Sequence, residues 1–263
     1  MIHYTATPTI TRVLRGLDKL GITLPDDVTA AAREFESLER QIDSLDTLQP
    51  DVGAAILAAL RAGRNPVTDK AVTRALTEAR IVQVSDRAGE ALEAEARDWT
   101  ARVFRPAVQQ ACAAAYDERV VEPLSEAFEV LGPGPVERYS GVLASGANLE
   151  VTAAIGKLHV ANHAAGQLRG HWDVGGSTLN AAANWALLYG TPPSAEAWLA
   201  VRRPPIGTPW DLLSAGWSLS MPASDIHLAE RQSQVNESVA RFDAERAAQQ
   251  EAATNRGLGL WRV

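Results

Sequence analysis

The chain has 263 residues, of which 46% are hydrophobic and 22% are charged, a balance typical of a folded rather than a disordered protein. The net charge is −7 and the basic residues are spread along the chain, so the sequence lacks the basic patch on which non-specific nucleic-acid binding depends. Cys112 is the only cysteine, which excludes an intrachain disulfide and a thiolate-rich zinc site.

The first helices are predicted from apolar spacing, a short one over residues 9–20 and a longer one that begins near Pro25. In the longer helix, apolar residues recur at alternating steps of three and four, which makes a heptad seam of Val28, Ala31, Phe35, Leu38, Ile42 and Leu45. About three heptads are short for an autonomous coiled coil, so we favour pairing with another helix of the same chain. The alternative is a coiled-coil contact between subunits through Phe35, Leu38, Ile42 and Leu45.

A short helix over residues 51–62 is followed, after a turn, by a helical pattern that continues to residue 131. Three features interrupt that pattern. The β-branched run at residues 81–84 indicates a break or a short strand. Pro106 and Pro123 each lack the N–H that an α-helix uses, so each predicts a kink or a restart.

The strongest helix- and strand-breaking signal in the chain is the alternation of glycine and proline over residues 132–135. Composition also changes there, because Trp99 precedes this segment and six tryptophans follow it. We therefore predict four parts, which are a helical domain with the heptad helix (1–131), a Gly/Pro/Ser hinge (132–147), a tryptophan-rich helical subdomain (148–223) and a polar C-terminal helix with a tail (224–263).

The last predicted helix begins at Ser224 or Asp225 and runs to about Arg256. It consists mainly of Gln, Glu, Arg and Ala, and its thin apolar stripe is Val235, Val239 and Phe242. A mainly polar helix is either exposed or docked along a narrow seam on a partner. The stripe is therefore a candidate subunit interface.

Five tryptophans lie between residues 172 and 217, namely Trp172, Trp185, Trp198, Trp210 and Trp217. Packing into the core is the favoured interpretation, because each ring buries a large apolar area. Trp210 ends a proline-rich segment, residues 203–210, that could instead form an arm on a neighbouring subunit. A small-molecule pocket lined by Trp185 and Trp198 is a further alternative.

One cluster of residues suggests metal chemistry. His159 and His163 are four residues apart, so both imidazoles leave one face of a helix predicted over residues 148–168. His171 and Asp173 follow in a predicted loop that could fold back and complete a site for zinc or another divalent ion. Val160 stands where the zincin motif has its catalytic glutamate, and structural histidines are the favoured interpretation.

The sequence thus predicts an all-α protein without a cofactor, and it favours a non-enzymatic structural or protein–protein interaction role over catalysis. No GxSxG or GxxxxGK[ST] motif occurs. The expected partner is a second copy or another protein subunit rather than nucleic acid or a membrane. High alanine and few lysines are typical of a GC-rich bacterium or its phage, so a bacteriophage virion or head-assembly component is the most specific expectation. The expected location is the cytoplasm, or the virion if a phage encodes the chain. The alternative is a metal-binding protein or metal-dependent enzyme that uses His159, His163, His171 and Asp173.

Overall fold

The computed structural model describes residues 6–46, 48, 50–135, 137–140, 148–173, 182–201 and 208–259. The chain divides into two compact units, Met1–Ala107 and Val108–Val263. The division falls inside a helix and differs from the predicted boundary after Leu131. The prediction of an all-α fold is confirmed.

The first unit is helical, and its first two helices both pack against its fourth. The helices are α1 (Ala6–Lys19), α2 (Asp26–Asp46), α3 (Val52–Arg61), α4 (Lys70–Trp99) and a short π-helical turn, π1 (Thr100–Phe104). The apolar faces of α1 and α2 are buried, as their spacing predicts, through Ile10, Val13, Leu17, Val28 and Phe35. Within α2, Ala32 is buried, whereas Ala31 of the predicted seam is half-buried.

A buried carboxylate holds the start of α1. Both oxygens of Glu93 accept the backbone N–H of Ala6, at 3.2 and 3.3 Å, and one of them also accepts Arg97 Nε at 2.8 Å. The first N–H groups of a helix have no partner within the helix, and they carry the positive end of its dipole. Glu93 therefore supplies from α4 the negative cap that the sequence of α1 lacks.

Helical residues follow one another without a gap from Lys70 to Leu131, so the predicted break or strand at residues 81–84 is wrong. The four residues lie inside α4, where Val82 is half-buried and the other three are exposed. The weak β-branched preference is outweighed by the helix that continues on both sides. The helices after π1 are α5 (Arg105–Tyr116), a second π-helical turn, π2 (Asp117–Val121), and α6 (Glu122–Leu131).

Each predicted proline kink is realised as a π-helical turn just before the proline. The N–H of Arg105 reaches back five residues to Thr100 O, and the N–H of Glu122 does the same to Asp117 O. The wider turn accommodates the pyrrolidine ring, which would clash with the preceding turn of a regular helix. The two turns share a sequence pattern seventeen residues apart, Arg-Val-Phe-Arg-Pro ending at Pro106 and Arg-Val-Val-Glu-Pro ending at Pro123.

The second unit is built around the pairing of α6 with α8. The remaining helices are α7 (Glu137–Ser140), α8 (Leu149–Trp172), α9 (Ala182–Tyr189), α10 (Ala195–Val201), α11 (Pro209–Ser214) and α12 (Asp225–Gly259). The buried face of α8 consists of Ala154, Ile155, Leu158, Ala161, Ala165, Leu168 and Trp172. None of the helices in the described part of the chain is long and apolar enough to cross a membrane.

Two short strands, β1 (Gly190–Thr191) and β2 (Ser218–Leu219), pair antiparallel and join α9 to the segment before α12. Gly190 lies opposite Leu219. A Cβ atom at position 190 would stand 2.6 Å from Ser218 O, so only glycine fits there without a shift of the backbone.

The Gly190→Ala substitution is expected to lower the free energy of unfolding by about 1–3 kcal/mol, because the added methyl group forces the two strands apart. Urea unfolding followed by tryptophan fluorescence measures the change. Gly53→Ala, in α3, is the matched control, since the only described heavy atom within 4 Å of its added Cβ is Asp51 Oδ1, at an ordinary contact distance of 3.5 Å. The control should raise the stability by about 0.5–1 kcal/mol, because alanine is the better helix former. Equal effects of the two substitutions would contradict the steric account.

Candidate functional site

The predicted heptad seam packs against its own chain over part of its length. Phe35 is buried, its ring centroid lies 5.2 Å from that of Trp99, and Ile42 packs on the same cluster. Leu45 is half-buried, whereas Leu38 is 38% exposed. The structure thus shows α2 paired within the chain, and a subunit contact through Leu38 stays a prediction.

Trp210 lies in the core of the second unit. Its Nε1 donates to Gly134 O at 2.7 Å, and its ring meets those of Phe128 and Tyr139 at 5.6 and 5.8 Å. The backbone of the predicted hinge therefore serves as an acceptor for the ring that follows the proline-rich segment. Residues 202–207 of that segment lie outside the described residues, so the proposed arm stays a prediction.

The proposed tryptophan pocket is only partly described. Trp198 is buried, and its ring centroid lies 6.1 Å from that of Trp217. The side chain of Trp185 lies outside the described side chains. A ligand site between Trp185 and Trp198 stays a prediction.

The four candidate metal ligands belong to one helix and its end. The predicted loop at residues 170–177 is wrong as far as Trp172, because α8 continues to that residue. Residues 174–177 lie outside the described residues. The helix persists because Trp172 is fully buried and donates its Nε1 to Pro222 O at 2.7 Å. Asp173 is the C-terminal cap residue of α8.

Of these four residues, the structure brings only His159 and His163 onto one turn, where both are exposed. His171 lies eight residues beyond His163, which is ~12 Å along the axis of α8. A zinc ligand lies only ~2 Å from the ion, so these three imidazoles cannot share one. In the part of the chain that the structure describes, no group of three His, Cys, Asp or Glu side chains could hold a metal ion.

The outward side of α8, here called the α8 outer face, consists of exposed residues and carries no Lys, Arg, Asp or Glu. Its members recur at helical spacing, and they are Leu149, Thr152, Ala153, Gly156, His159, Val160, His163, Gly166, Gln167 and Gly170. Leu149 is 83% exposed and Val160 is 69% exposed. The neighbouring Lys157 pairs with Glu126 of α6.

No contact within the described chain explains why glycine stands at three positions of the α8 outer face. A Cβ at Gly156, Gly166 or Gly170 would meet no described heavy atom within 4 Å. A glycine inside a helix costs roughly 0.5–1 kcal/mol relative to alanine. The cost of the glycines is therefore not offset by any contact that the structure shows.

The first half of α12 docks on its own unit. Leu228 and Val235 are buried, Val239 and Phe242 are half-buried, and the helix packs against α9 and α10. The Asp225 carboxylate accepts Gln109 Nε2 at 2.9 Å. The predicted apolar stripe is thus used within the chain at Val235.

Arg231 is the polar anchor of this docking, and the sequence analysis did not identify it. Its guanidinium donates to Leu187 O at 3.0 Å, to Ser220 O at 2.9 Å and to Ser220 Oγ at 2.8 Å. Burial lowers the pKa of the guanidinium from its usual value. An arginine in a polar helix gives no sequence signal of such a role, because its acceptors come from α9 and the segment after β2.

The second half of α12 is exposed as far as its side chains are described. Every described side chain from residue 243 to residue 253 is exposed, and the helix continues to Gly259. Residues 243–253 are called the distal segment below. The distal segment contains five alanines, Ala244, Ala247, Ala248, Ala252 and Ala253, which favour the helical state.

A groove of about 490 Å³ between α1 and α2 was not predicted from the sequence. Leu14, Leu17, Ile22 and Leu24 are among its lining residues, together with Arg15 and Arg33. Its volume lies in the range of small-molecule sites. Its charged lining is mixed, since Asp18, Asp26 and Glu36 also contribute, so charge indicates no ligand class.

Comparisons of the chain with protein families, with curated proteins and with solved structures found no match.

The anchoring role of Arg231 predicts a large effect of Arg231→Met. The substitution removes the donor and leaves two carbonyls and a hydroxyl without it, so the free energy of unfolding should fall by about 2–3 kcal/mol. Urea unfolding followed by tryptophan fluorescence measures this. Arg241→Met, which changes an exposed arginine of the same helix, is the control and should change the stability by less than about 0.5 kcal/mol. Similar effects of both substitutions would rule out the anchor.

The thiol of Cys112 should be unreactive in the folded protein. Cys112 is fully buried, and burial raises the pKa of its thiol to about 12. At pH 8 almost no thiolate is present, and the thiolate is the reactive form. Ellman's reagent should therefore release no colour from the native chain and one equivalent after addition of urea. Rapid reaction of the native chain would contradict the burial.

Proposed function

We propose that this chain is a non-enzymatic structural protein that assembles with other copies of itself through the distal segment of α12. The observation that carries the proposal is the division of α12 into two halves. Leu228, Arg231 and Val235 fix the first half to its own unit, whereas all the described side chains of the distal segment are exposed.

The exposed half is suited to binding because it is already helical. Residues 243–259 extend the helix by ~25 Å past the docked half. A helix that is polar on all sides bridges between domains, is stabilised by pairs of its own side chains, or is not stable by itself. We take the first case and extend it to subunits. Since the helix is formed before it binds, association does not have to offset the entropy of ordering a flexible segment.

In its most specific form, the proposal is a bacteriophage virion or head-assembly component. The support for that form is compositional, namely the acidic charge, the abundant alanine, and the arginine excess, with Lys19, Lys70 and Lys157 as the only lysines. Its location would then be the virion.

A proline in the distal segment tests the proposal in the full-length chain. Ala248→Pro should break the exposed half of α12, at a cost of about 3 kcal/mol or more to that helix, and leave the docked half intact. Static light scattering over a concentration series should show the wild type rising above its monomer mass of 28.2 kDa and the variant forming smaller assemblies.

Ala248→Gln is the control, because glutamine keeps the helix and the exposure of the site. It should assemble as the wild type does. A wild type that remains monomeric at every concentration, or a proline variant that assembles equally well, would contradict the proposed function.

A further inference from the structure

We propose that a second copy of this chain docks on the α8 outer face, with the two α8 helices antiparallel and related by a two-fold axis between His159 and Val160. The inference rests on the proposed function in one respect, that the partner is another copy. It assigns that copy to a surface separate from the distal segment.

The α8 outer face is an unpartnered helix face with exposed apolar side chains. Leu149 and Val160 are among the most exposed large apolar residues of the described chain, at 83% and 69%. Burial of such side chains against a partner is favourable because it removes apolar area from water.

The absence of Lys, Arg, Asp and Glu makes the α8 outer face suitable for contact between identical copies. Two copies that each carry a net charge of −7 repel one another, and like charges brought together at an interface cost free energy. The α8 outer face has no Lys, Arg, Asp or Glu, so pairing it with itself juxtaposes no like charges from these residues.

The order of large and small residues identifies the partner as a second copy and fixes the direction of pairing. In the antiparallel register centred between His159 and Val160, Gly156 lies opposite the partner's His163. In the same register, Gly170 lies opposite the partner's Leu149, and Gly166 lies opposite the partner's Ala153. Gly156 and Gly170 thus each face a large side chain that can use their space, and two-fold symmetry repeats both contacts.

Binding to a partner of unrelated sequence would not explain why glycines and large residues of α8 lie opposite one another in this register. The positions of Gly156 and Gly170 mirror those of His163 and Leu149 about one point, which is the self-complementarity that a two-fold interface requires. The pairing also accounts for glycines that have no role within the described chain, because a glycine allows the close approach of another helix.

Disulfide trapping in the full-length chain tests the register. Val160→Cys places a thiol beside the two-fold axis, so mild oxidation with glutathione disulfide should give a covalent dimer of twice the chain mass. Ala153→Cys is the control, because in an antiparallel pair its counterpart in the partner lies thirteen residues away, ~20 Å along the helix. The buried Cys112 of the wild type should form no cross-link.

A charge placed in the interface tests its contribution in solution. Val160→Glu should lower the mass measured by light scattering at least twofold, because it buries like charges on the axis. Ile226→Glu is the matched control, since Ile226 is 70% exposed and lies outside the α8 outer face. It should leave the mass unchanged.

No cross-link with Val160→Cys, equal cross-linking with Ala153→Cys, or an unchanged mass of Val160→Glu would overturn the inference. These outcomes are distinct from failure of the proposed function. If Ala248→Pro still reduces assembly while Val160→Glu does not, the distal segment mediates the contact and the α8 outer face is not an interface.

Discussion

The docking of α12 in the second unit depends on the hydrogen bonds that the Arg231 guanidinium donates. A guanidinium buried without acceptors would be strongly destabilising, and this one finds two backbone carbonyls and a hydroxyl on Leu187 and Ser220. These acceptors are in place only when α9 and the segment after β2 are joined as the β1–β2 pair joins them. The need to place Arg231 against these acceptors determines which turn of α12 lies against the second unit.

The helices α8 and α12 each have a buried part and an exposed part, but the two parts are divided differently. Along α8, one side is buried from Ala154 to Trp172 while the opposite side stays exposed, uncharged and rich in glycine. Along α12, the division is lengthwise, with a docked half up to Phe242 and an exposed half beyond it. Apolar burial and hydrogen bonding account for the buried side of α8 and for the docked half of α12. No contact in the described chain accounts for the composition of the α8 outer face or of the distal segment, and we propose that these two surfaces bind other copies.

Local patterns predicted the elements well, and tertiary context decided the details. The spacing of Phe35 and Ile42 indicated the pairing of α2, because apolar periodicity acts within one helix. Pro106 and Pro123 indicated local disruption, but the choice of a π-helical turn depends on packing such as the burial of Phe104 and Val120. The helix predicted to end at Leu168 continues to Trp172, because the burial of that ring outweighs the local signal. The acceptors of Arg231 lie 44 and 11 residues away along the chain, so no local pattern could identify that anchor.

In the proposed assembly, α12 is held by its first half and offers its distal segment to another subunit. Hydrogen–deuterium exchange of the wild type, measured at a low concentration and at one where it assembles, distinguishes the two halves. We expect slow amide exchange around Leu228–Val239 at both concentrations, and exchange in residues 243–253 that is fast in the dilute chain and slows on assembly. Exchange in residues 243–253 that is already slow in the dilute chain, or that stays fast in the assembly, would contradict the proposed assembly.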